Sequence, residues 1–466
     1  MPTLLFLFFA CSPTEPLVVE PATGPMSGYY AIRLETELDV SSVEVAGLAT
    51  YGMTKEAGSI EVWVQGAKSS GPAEIVLETP EGPQVYEDAF SYDEPLFAGF
   101  DSLAALGASL TQGVQGGVPT EHGQLHSPSR QIALEVGAFH PVPLLVEDLF
   151  LTIGPEHIGP PPECEIPDVA QHLASSAADV LAKINDEEND RIGFYLARED
   201  PDITPYNVAV GDSNVADLVN GPSEAEFSQQ FLAHLMYDPY GDIIDKVEAS
   251  QLELVEALNP TVVISTDTFG NDLIGGIVRS EAVDPTLLTP LDEFEEALVE
   301  LVERMAATNA EVFLSNMPRA TLLPLTKIRR QAALERGETE EEVDARLDEI
   351  EAMGDAYNAI LAVEAAKFDN VHLVDLATEV ATIEADGLQV GDQKLSVDKF
   401  DGLLSTDGIH FSDLGYAMIA NLFIDKMNQV MDLDITEVDL VEVIEGDFHS
   451  PQALIDGGLD LDSCED

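Results

Sequence analysis

The stretch Leu106-Gly107-Ala108-Ser109-Leu110-Thr111-Gln112-Gly113 follows the apolar run Leu103 to Leu106 and sets one serine among small residues where a buried strand should turn into a helix. A serine at such an exit stands at the edge of a sheet, surrounded by the first amides of the next helix. Those N–H groups suit a developing negative charge. On its own the stretch reads as a turn like many others, and its weight depends on the segments around it.

From Leu96 onward, short apolar runs alternate with long amphipathic helices, the pattern of an α/β domain. Val208-Ala209-Val210, Val262-Val263-Ile264, Val312-Phe313-Leu314 and Val371-His372-Leu373-Val374 read as buried parallel strands. Thr289-Pro290-Leu291-Asp292 reads as a helix opening, with a hydroxyl N-cap, a proline in the first turn and an acid at the third position. Phe294, Leu298, Leu301, Val302 and Met305 then fall on one face, and Val343, Leu347, Ile350, Tyr357 and Leu361 repeat that spacing. The charged helical stretch Arg329 to Glu351 reads as a surface insertion, as does the Pro-rich and then acidic region 145–204. Insertions at strand ends shape access to substrate.

Residues 18–94 have another texture. Alternating runs such as Val43-Glu44-Val45 and Ile60-Glu61-Val62-Trp63-Val64, then Ile75-Val76-Leu77 and Val85 to Tyr92, are separated by Gly, Pro and Ser turns. That spacing suits a small two-sheet sandwich. With Gly24-Pro25-Met26-Ser27-Gly28, Ser70-Gly71-Pro72-Ala73, Thr79-Pro80-Glu81-Gly82 and Phe90-Ser91-Tyr92 in order, the segment resembles an IPT/TIG-type immunoglobulin-like domain. The resemblance implies a spacer, with glycan binding as its alternative. Ahead of it, the apolar block Leu4 to Ala10 ends at Cys11 and a polar tether, which resembles a bacterial lipoprotein signal with Cys11 as the lipidated residue. It departs from that pattern in having no Lys or Arg before Arg33. A buried N-terminal strand carrying a structural cysteine is the other reading.

Composition narrows the partners. With 87 acidic against 20 basic residues the formal net charge is −67, which argues against DNA, RNA or an anionic lipid surface as a partner. Membrane contact is then expected only through an N-terminal lipid anchor. If Cys11 is lipidated, Cys164 and Cys464 remain as candidates for a disulfide in an exported chain. Residues 432–466 read as an acidic, solvated, partly strand-like tail without EF-hand spacing. His122 and His126 read as a solvated loop pair rather than a zinc site, and no metal or cofactor is expected.

Far downstream of Ser109 stands Ser405-Thr406-Asp407-Gly408-Ile409-His410-Phe411-Ser412. An Asp three residues before a His can hold one ring nitrogen on the same turn, which leaves the other nitrogen free as a base. Between the two stretches lie Phe269-Gly270-Asn271-Asp272, after a strand, and the turn at Gly211-Asp212-Ser213. An Asn carboxamide and turn amides are the donors that an oxyanion needs.

Gly107-Ala108-Ser109-Leu110, the Gly211 turn, Gly270-Asn271-Asp272 and Asp407-x-x-His410 occur in the order of the four sequence blocks of the GDSL/SGNH hydrolases, and the chain resembles that family over roughly residues 96–430. Asn316-Met317-Pro318 and Gly415-Tyr416 add to the likeness. The resemblance implies a flavodoxin-like three-layer α/β/α fold and esterase or lipase activity. It makes Ser109 the nucleophile, His410 the general base and acid, and Asp407 the orienting carboxylate. The oxyanion donors it implies are the Ser109 amide, the Asn271 side chain and an amide at Gly211 or Asp212. Ala108 stands where the family's name motif has Asp, a departure that bears on local hydrogen bonding rather than on the base.

The resulting organisation is a lipoprotein-like signal and tether at 1–17, a sandwich at 18–94, the hydrolase domain at 95–431 and the tail at 432–466. The expected protein is an exported, lipid-anchored, monomeric serine esterase of the bacterial cell envelope, acting on a lipid, an acetylated glycan or a small ester. Its rivals are an inactive surface-binding lipoprotein and an acyltransferase on the same scaffold.

Overall fold

A computed structural model describes residues 16–146, 149–150, 164, 169–184, 194–223, 227–240, 246–280 and 282–464. Cys11 and its apolar block lie outside them, as does most of the region 147–193. Two compact units divide the chain, one built on residues up to 101 together with 136–141, the other on 102–135 and 142–466.

The first unit is strand-rich. One sheet runs Val18–Glu20, Tyr30–Glu35, Ser59–Val64, Tyr51–Glu56, and the other Thr23–Pro25, Gln84–Asp93, Gly71–Glu78, Ser42–Val45, Leu48–Ala49. Alternation sets which residues face inward. In Ser59–Val64 the side chains of Ile60, Val62 and Val64 are buried while Glu61 and Trp63 face out. Ile32 and Leu34 on the paired strand and Ile75 and Leu77 on the other sheet complete the apolar interior.

The second unit is built on a parallel sheet in the order Leu103–Ala105, Val262–Ser265, Glu311–Ser315, Val371–Val374. Its pairings include Leu103 with Val262, Val262 with Glu311, and Val312 with Val371. Asn207 adds a parallel bridge to Ala105 on the free side of the first strand. In chain order the strands therefore lie 2-1-3-4-5, a doubly wound arrangement whose ligand crevice falls at the carboxyl ends beside the first and third strands. Leu103, Ala104, Ala105, Val262, Val263 and Ile264 are wholly buried, so their continuous apolar runs need helices on both faces.

The segment after Asn207 is less regular than its Val208-Ala209-Val210 pattern predicts. Val208 and Val210 donate to the Ala105 and Gly107 carbonyls, while the Ala209 amide, on the free edge of the sheet, donates to the Asn207 side chain. The helix Leu291–Ala306 buries Phe294, Leu298, Leu301, Val302 and Met305 as expected. Its N-cap is Pro290 rather than Thr289, because the Thr289 amide donates to the Asp272 carbonyl and the Thr289 carbonyl accepts from Tyr357. The charged region forms two helices, Pro324–Glu335 and Glu340–Ala365, separated at Gly337. Val343, Leu347, Ile350, Tyr357 and Leu361 on the second are buried.

The C-terminal segment corrects the expectation of a solvated, strand-like tail. It forms the helices Leu440–Gly446 and Pro451–Asp456 and a final 3-10 turn, Leu461–Ser463. Leu454, Leu459 and Cys464 pack with Phe400 and Cys164, and the Cys164 and Cys464 sulfurs are bonded, with their Cα atoms 5.4 Å apart. Its acidic residues are mostly on the outer surface, but Asp447 and His449 are buried. Among the described residues no helix is long and apolar enough to cross a membrane.

Candidate active site

Ser109 opens the short helix Ser109–Gln112 just past the carboxyl end of the first strand. The turn before it is tight. Gly107 has φ +143°, and a Cβ there would lie 2.5 Å from Thr111 Oγ1 and 2.7 Å from Asp267 Oδ1. Only glycine satisfies both demands. The Gly107 amide donates to Gln251 Oε1 at 2.9 Å. Asp267, fully buried beyond the strand Val262–Ser265, accepts the amides of Ala108 at 2.9 Å, Leu110 at 2.7 Å and Thr111 at 3.3 Å, and the Thr111 hydroxyl at 2.6 Å. The amide it passes over is that of Ser109. Burial pushes the Asp267 carboxyl up, against the pull of these hydrogen bonds.

Asp407 and His410 lie on the loop that leads into the helix Asp413–Met431, whose N-cap Ser412 accepts the Gly415 amide at 3.1 Å. Asp407 Oδ2 stands 2.7 Å from His410 Nδ1. Its other oxygen accepts the Ile409 and His410 amides, each at 2.9 Å. Burial opposes ionisation of Asp407, but the His410 charge and these hydrogen bonds outweigh it and hold the carboxyl down to about 2. An anion at Nδ1 fixes the proton of neutral His410 on that nitrogen and leaves Nε2 with a lone pair.

Ser109 and the two residues flanking His410 meet at one pocket. Ser109, Asn271, Met317, Leu323, Ile409 and Phe411 are among its lining residues, and its cavity volume is about 40 Å³. Gly211 lies against the serine: a Cβ on it would be 3.9 Å from Ser109 Cβ. Its amide donates to Gln112 Oε1 at 2.9 Å and so is engaged within the protein. The Asn271 carboxamide donates to the Ser213 carbonyl at 3.0 Å, and a carboxamide nitrogen carries a second N–H. Asp272 behind it accepts the Val215 amide at 2.8 Å, and burial pushes its carboxyl up to about 7.

Three supporting residues escape a reading of the sequence. Gln112 and Gln251 carry no pattern beyond their residue type. Asp267 stands three residues ahead of Gly270, but nothing in the chain pairs it with the serine turn. Ala108 leaves that turn with no carboxylate of its own, and the Asp267 carboxylate occupies the surroundings of its backbone.

His122 and His126 are not on a solvated loop. His122 belongs to the helix Glu121–Leu125 and His126 caps it, with their rings stacked 4.1 Å apart. His122 Nε2 lies 2.7 Å from Asp413 Oδ2. Burial lowers the His122 pKa, but the Asp413 hydrogen bond and charge outweigh it and leave the group raised. Close behind, Asp447 Oδ2 accepts the Leu414 amide at 2.9 Å, and burial together with the Asp413 charge pushes the Asp447 carboxyl up to about 7.

A family model described as GDSL-like Lipase/Acylhydrolase matches residues 103–423. No curated protein matches the chain. Among solved structures the chain is similar to an acetyl xylan esterase, at 17% identity over 47% of this chain and 78% of that one, with a TM-score of 0.27. It is also similar to a carbohydrate acetylesterase from Xanthomonas citri, at 10% identity over 68% of this chain and 64% of that one, with a TM-score of 0.18. Likeness at that level says nothing of substrate. The family match covers well over half of the sequence and takes in the serine turn, the Gly211 turn, Asn271 and the Asp407–His410 loop: the chain belongs to the GDSL-like lipase/acylhydrolase family.

Proposed function

We propose that the protein is an exported serine esterase that cleaves carboxylic esters of short acyl groups through an acyl-enzyme. Ser109 Oγ attacks the ester carbonyl while His410 Nε2 takes its proton, and the Asp407 anion stabilises the imidazolium that forms. The tetrahedral oxyanion is held by the Ser109 amide and the Asn271 carboxamide, with the Gly211 amide available only if it leaves Gln112. Collapse expels the alcohol, which takes the proton from His410. A water then gives its proton to His410 and attacks the acyl carbon, releasing the acid and restoring Ser109.

The observation that carries this reading is the shared pocket: Ser109, whose amide Asp267 passes over, and the flanks of a histidine held by a buried aspartate line one cavity. Its size supports a short acyl group. A cavity of only about 40 Å³ beside Ser109 suits a small acyl group such as acetyl or propionyl. The alcohol part, whether sugar, lipid or small molecule, lies outside it. The bond between Cys164 and Cys464 supports an oxidising compartment, and Cys11 as lipid anchor with residues 18–94 as spacer completes the proposal. A fluorophosphonate probe followed by peptide mapping tests the chemistry: label on Ser109 is expected, and label elsewhere or none contradicts it. With nitrophenyl esters, kcat/KM should fall as the acyl chain lengthens from two carbons; a maximum at eight or more would contradict the small acyl pocket.

A further inference from the structure

We propose that His122, His126 and Asp413 form a binding site for a zinc-type divalent cation, which staples the segment after Ser109 to the helix after His410. One ligand atom from each of the three residues lies within 4.8 Å of the others. His122 Nε2 is 2.7 Å from Asp413 Oδ2, and His126 Nδ1 is 3.9 Å from Asp413 Oδ1. A tetrahedral ion with arms of about 2.0–2.1 Å sets its ligand atoms roughly 3.3 Å apart, inside that range. Two imidazoles and one carboxylate with an open position suit zinc and neighbouring late first-row ions, whereas calcium and magnesium ask for six or more oxygens.

The setting is built as metal sites are. The carboxylate is deeply buried and the two imidazoles are partly open to solvent, so an ion has both a fixed anion and a way in. Gln115 Nε2 donates to Asp413 Oδ1 at 2.8 Å and orients the carboxylate from behind. His126 Nδ1 faces the His122 carbonyl at 2.8 Å, so binding replaces that contact or turns the ring to bring Nε2 forward. An independent sign of unmet polar chemistry lies beside the site. His449 is fully buried and neither ring nitrogen has a hydrogen-bond partner, although Asp413 and His122 are near enough to act on its charge. Phe448 joins them, 4.8 Å from the His122 ring and 4.0 Å from that of His449. His449 Nδ1 lies 3.8 Å from Asp447 Oδ1, too far for a hydrogen bond, and buried ring nitrogens so placed are rare, so a bound water beside the ion would satisfy them.

The staple would act where the two halves of the esterase site already touch. The hairpin Val114–Pro119 leads from the serine helix to His122, and Tyr416 Oη donates to its Val114 carbonyl at 2.5 Å. The Gly116 amide donates to Ser405 Oγ, on the loop of Asp407 and His410, at 3.2 Å.

The test is a titration of zinc chloride into the chelator-treated full chain, read by calorimetry and by thermal unfolding, in millimolar magnesium so that the many surface carboxylates are occupied. Wild type should bind one equivalent, with a higher unfolding midpoint. His126→Ala, a partly exposed change that spares the core, should weaken binding at least about tenfold and lose the zinc-dependent midpoint shift. Asp413→Asn should do the same if it folds. Absence of binding in wild type, or binding of equal affinity and stoichiometry in His122→Ala/His126→Ala, would overturn the site. Neither result depends on ester hydrolysis.

Discussion

Asp407→Asn separates orientation of the base from simple stability. Asparagine offers one oxygen and one NH₂ where aspartate offers two oxygens. If its oxygen stays on the Ile409 and His410 amides, which lie at 2.9 Å, the NH₂ faces His410 Nδ1. That nitrogen must then accept, the ring proton moves to Nε2, and the atom that should take the Ser109 proton already carries one. In the opposite orientation the NH₂ faces two buried amides and leaves them unsatisfied, at about 1–3 kcal/mol each. The first orientation therefore wins, and the folded variant holds the wrong tautomer. A loss of about 10⁴ in kcat is expected, the size seen where a triad aspartate is so replaced. The stability cost is smaller. The depressed Asp407 carboxyl contributes above its unfolded pKa near 3.8, and that contribution is lost as pH falls toward 2. With the carboxyl held down to about 2, that contribution is on the order of 2.5 kcal/mol at neutral pH. Initial rates on nitrophenyl acetate, alongside urea unfolding of the same preparation, give both quantities. A folded variant within tenfold of wild-type kcat would refute the role assigned to Asp407.

Gly107→Ala should lower both thermal midpoint and kcat, since the new Cβ meets Thr111 and Asp267 in a backbone region costing about 1–3 kcal/mol; unchanged activity would mean the turn can relax. Asp272→Asn should stabilise the protein at pH 8 but not at pH 4. The raised carboxyl of Asp272 holds its proton more tightly folded than unfolded, so its stabilisation is complete below pH 3.8 and is lost as pH rises through about 7, on the order of 4 kcal/mol at most. An equal effect in urea at both pH values would contradict that. Cys464→Ser should cost about 3–5 kcal/mol, since closing a loop of 300 residues puts the bond at the upper end of what a disulfide contributes, and should free the C-terminal helices to protease; equal midpoints for reduced wild type, oxidised wild type and variant would count against the bridge.

The sheet was legible because parallel strands buried on both faces must be unbroken apolar runs, as Val262 to Ile264 and Val312 to Leu314 are. The helical faces were legible for the same reason at another period. Val208 to Val210 looks equally strand-like and does pair with the first strand through Val208 and Val210, but it lies at the edge of the sheet, where the Asn207 side chain takes the outward amide of Ala209. In the tail, composition misled. Frequent Asp and Glu suggest a solvated segment, while Ile444 and Leu454, one on each short helix, and Leu459 just after the second are buried. The partners of the site were least legible. Asp267 serves amides more than 150 residues earlier, and Asp413 meets a histidine 291 residues away. No local pattern carries such distances, whereas Asp407 and His410, three apart on one turn, announce their own contact.

The measurement closest to the central claim is the hydrolysis of nitrophenyl acetate by wild type and by Ser109→Ala, with intact-mass analysis of each protein quenched during turnover. The account predicts steady hydrolysis and an acetylated fraction on Ser109 in wild type. In the variant it predicts a rate lower by at least about 10³ and no acetylated protein. Undiminished hydrolysis by a folded Ser109→Ala protein, or acetyl found on another residue during turnover, would contradict it.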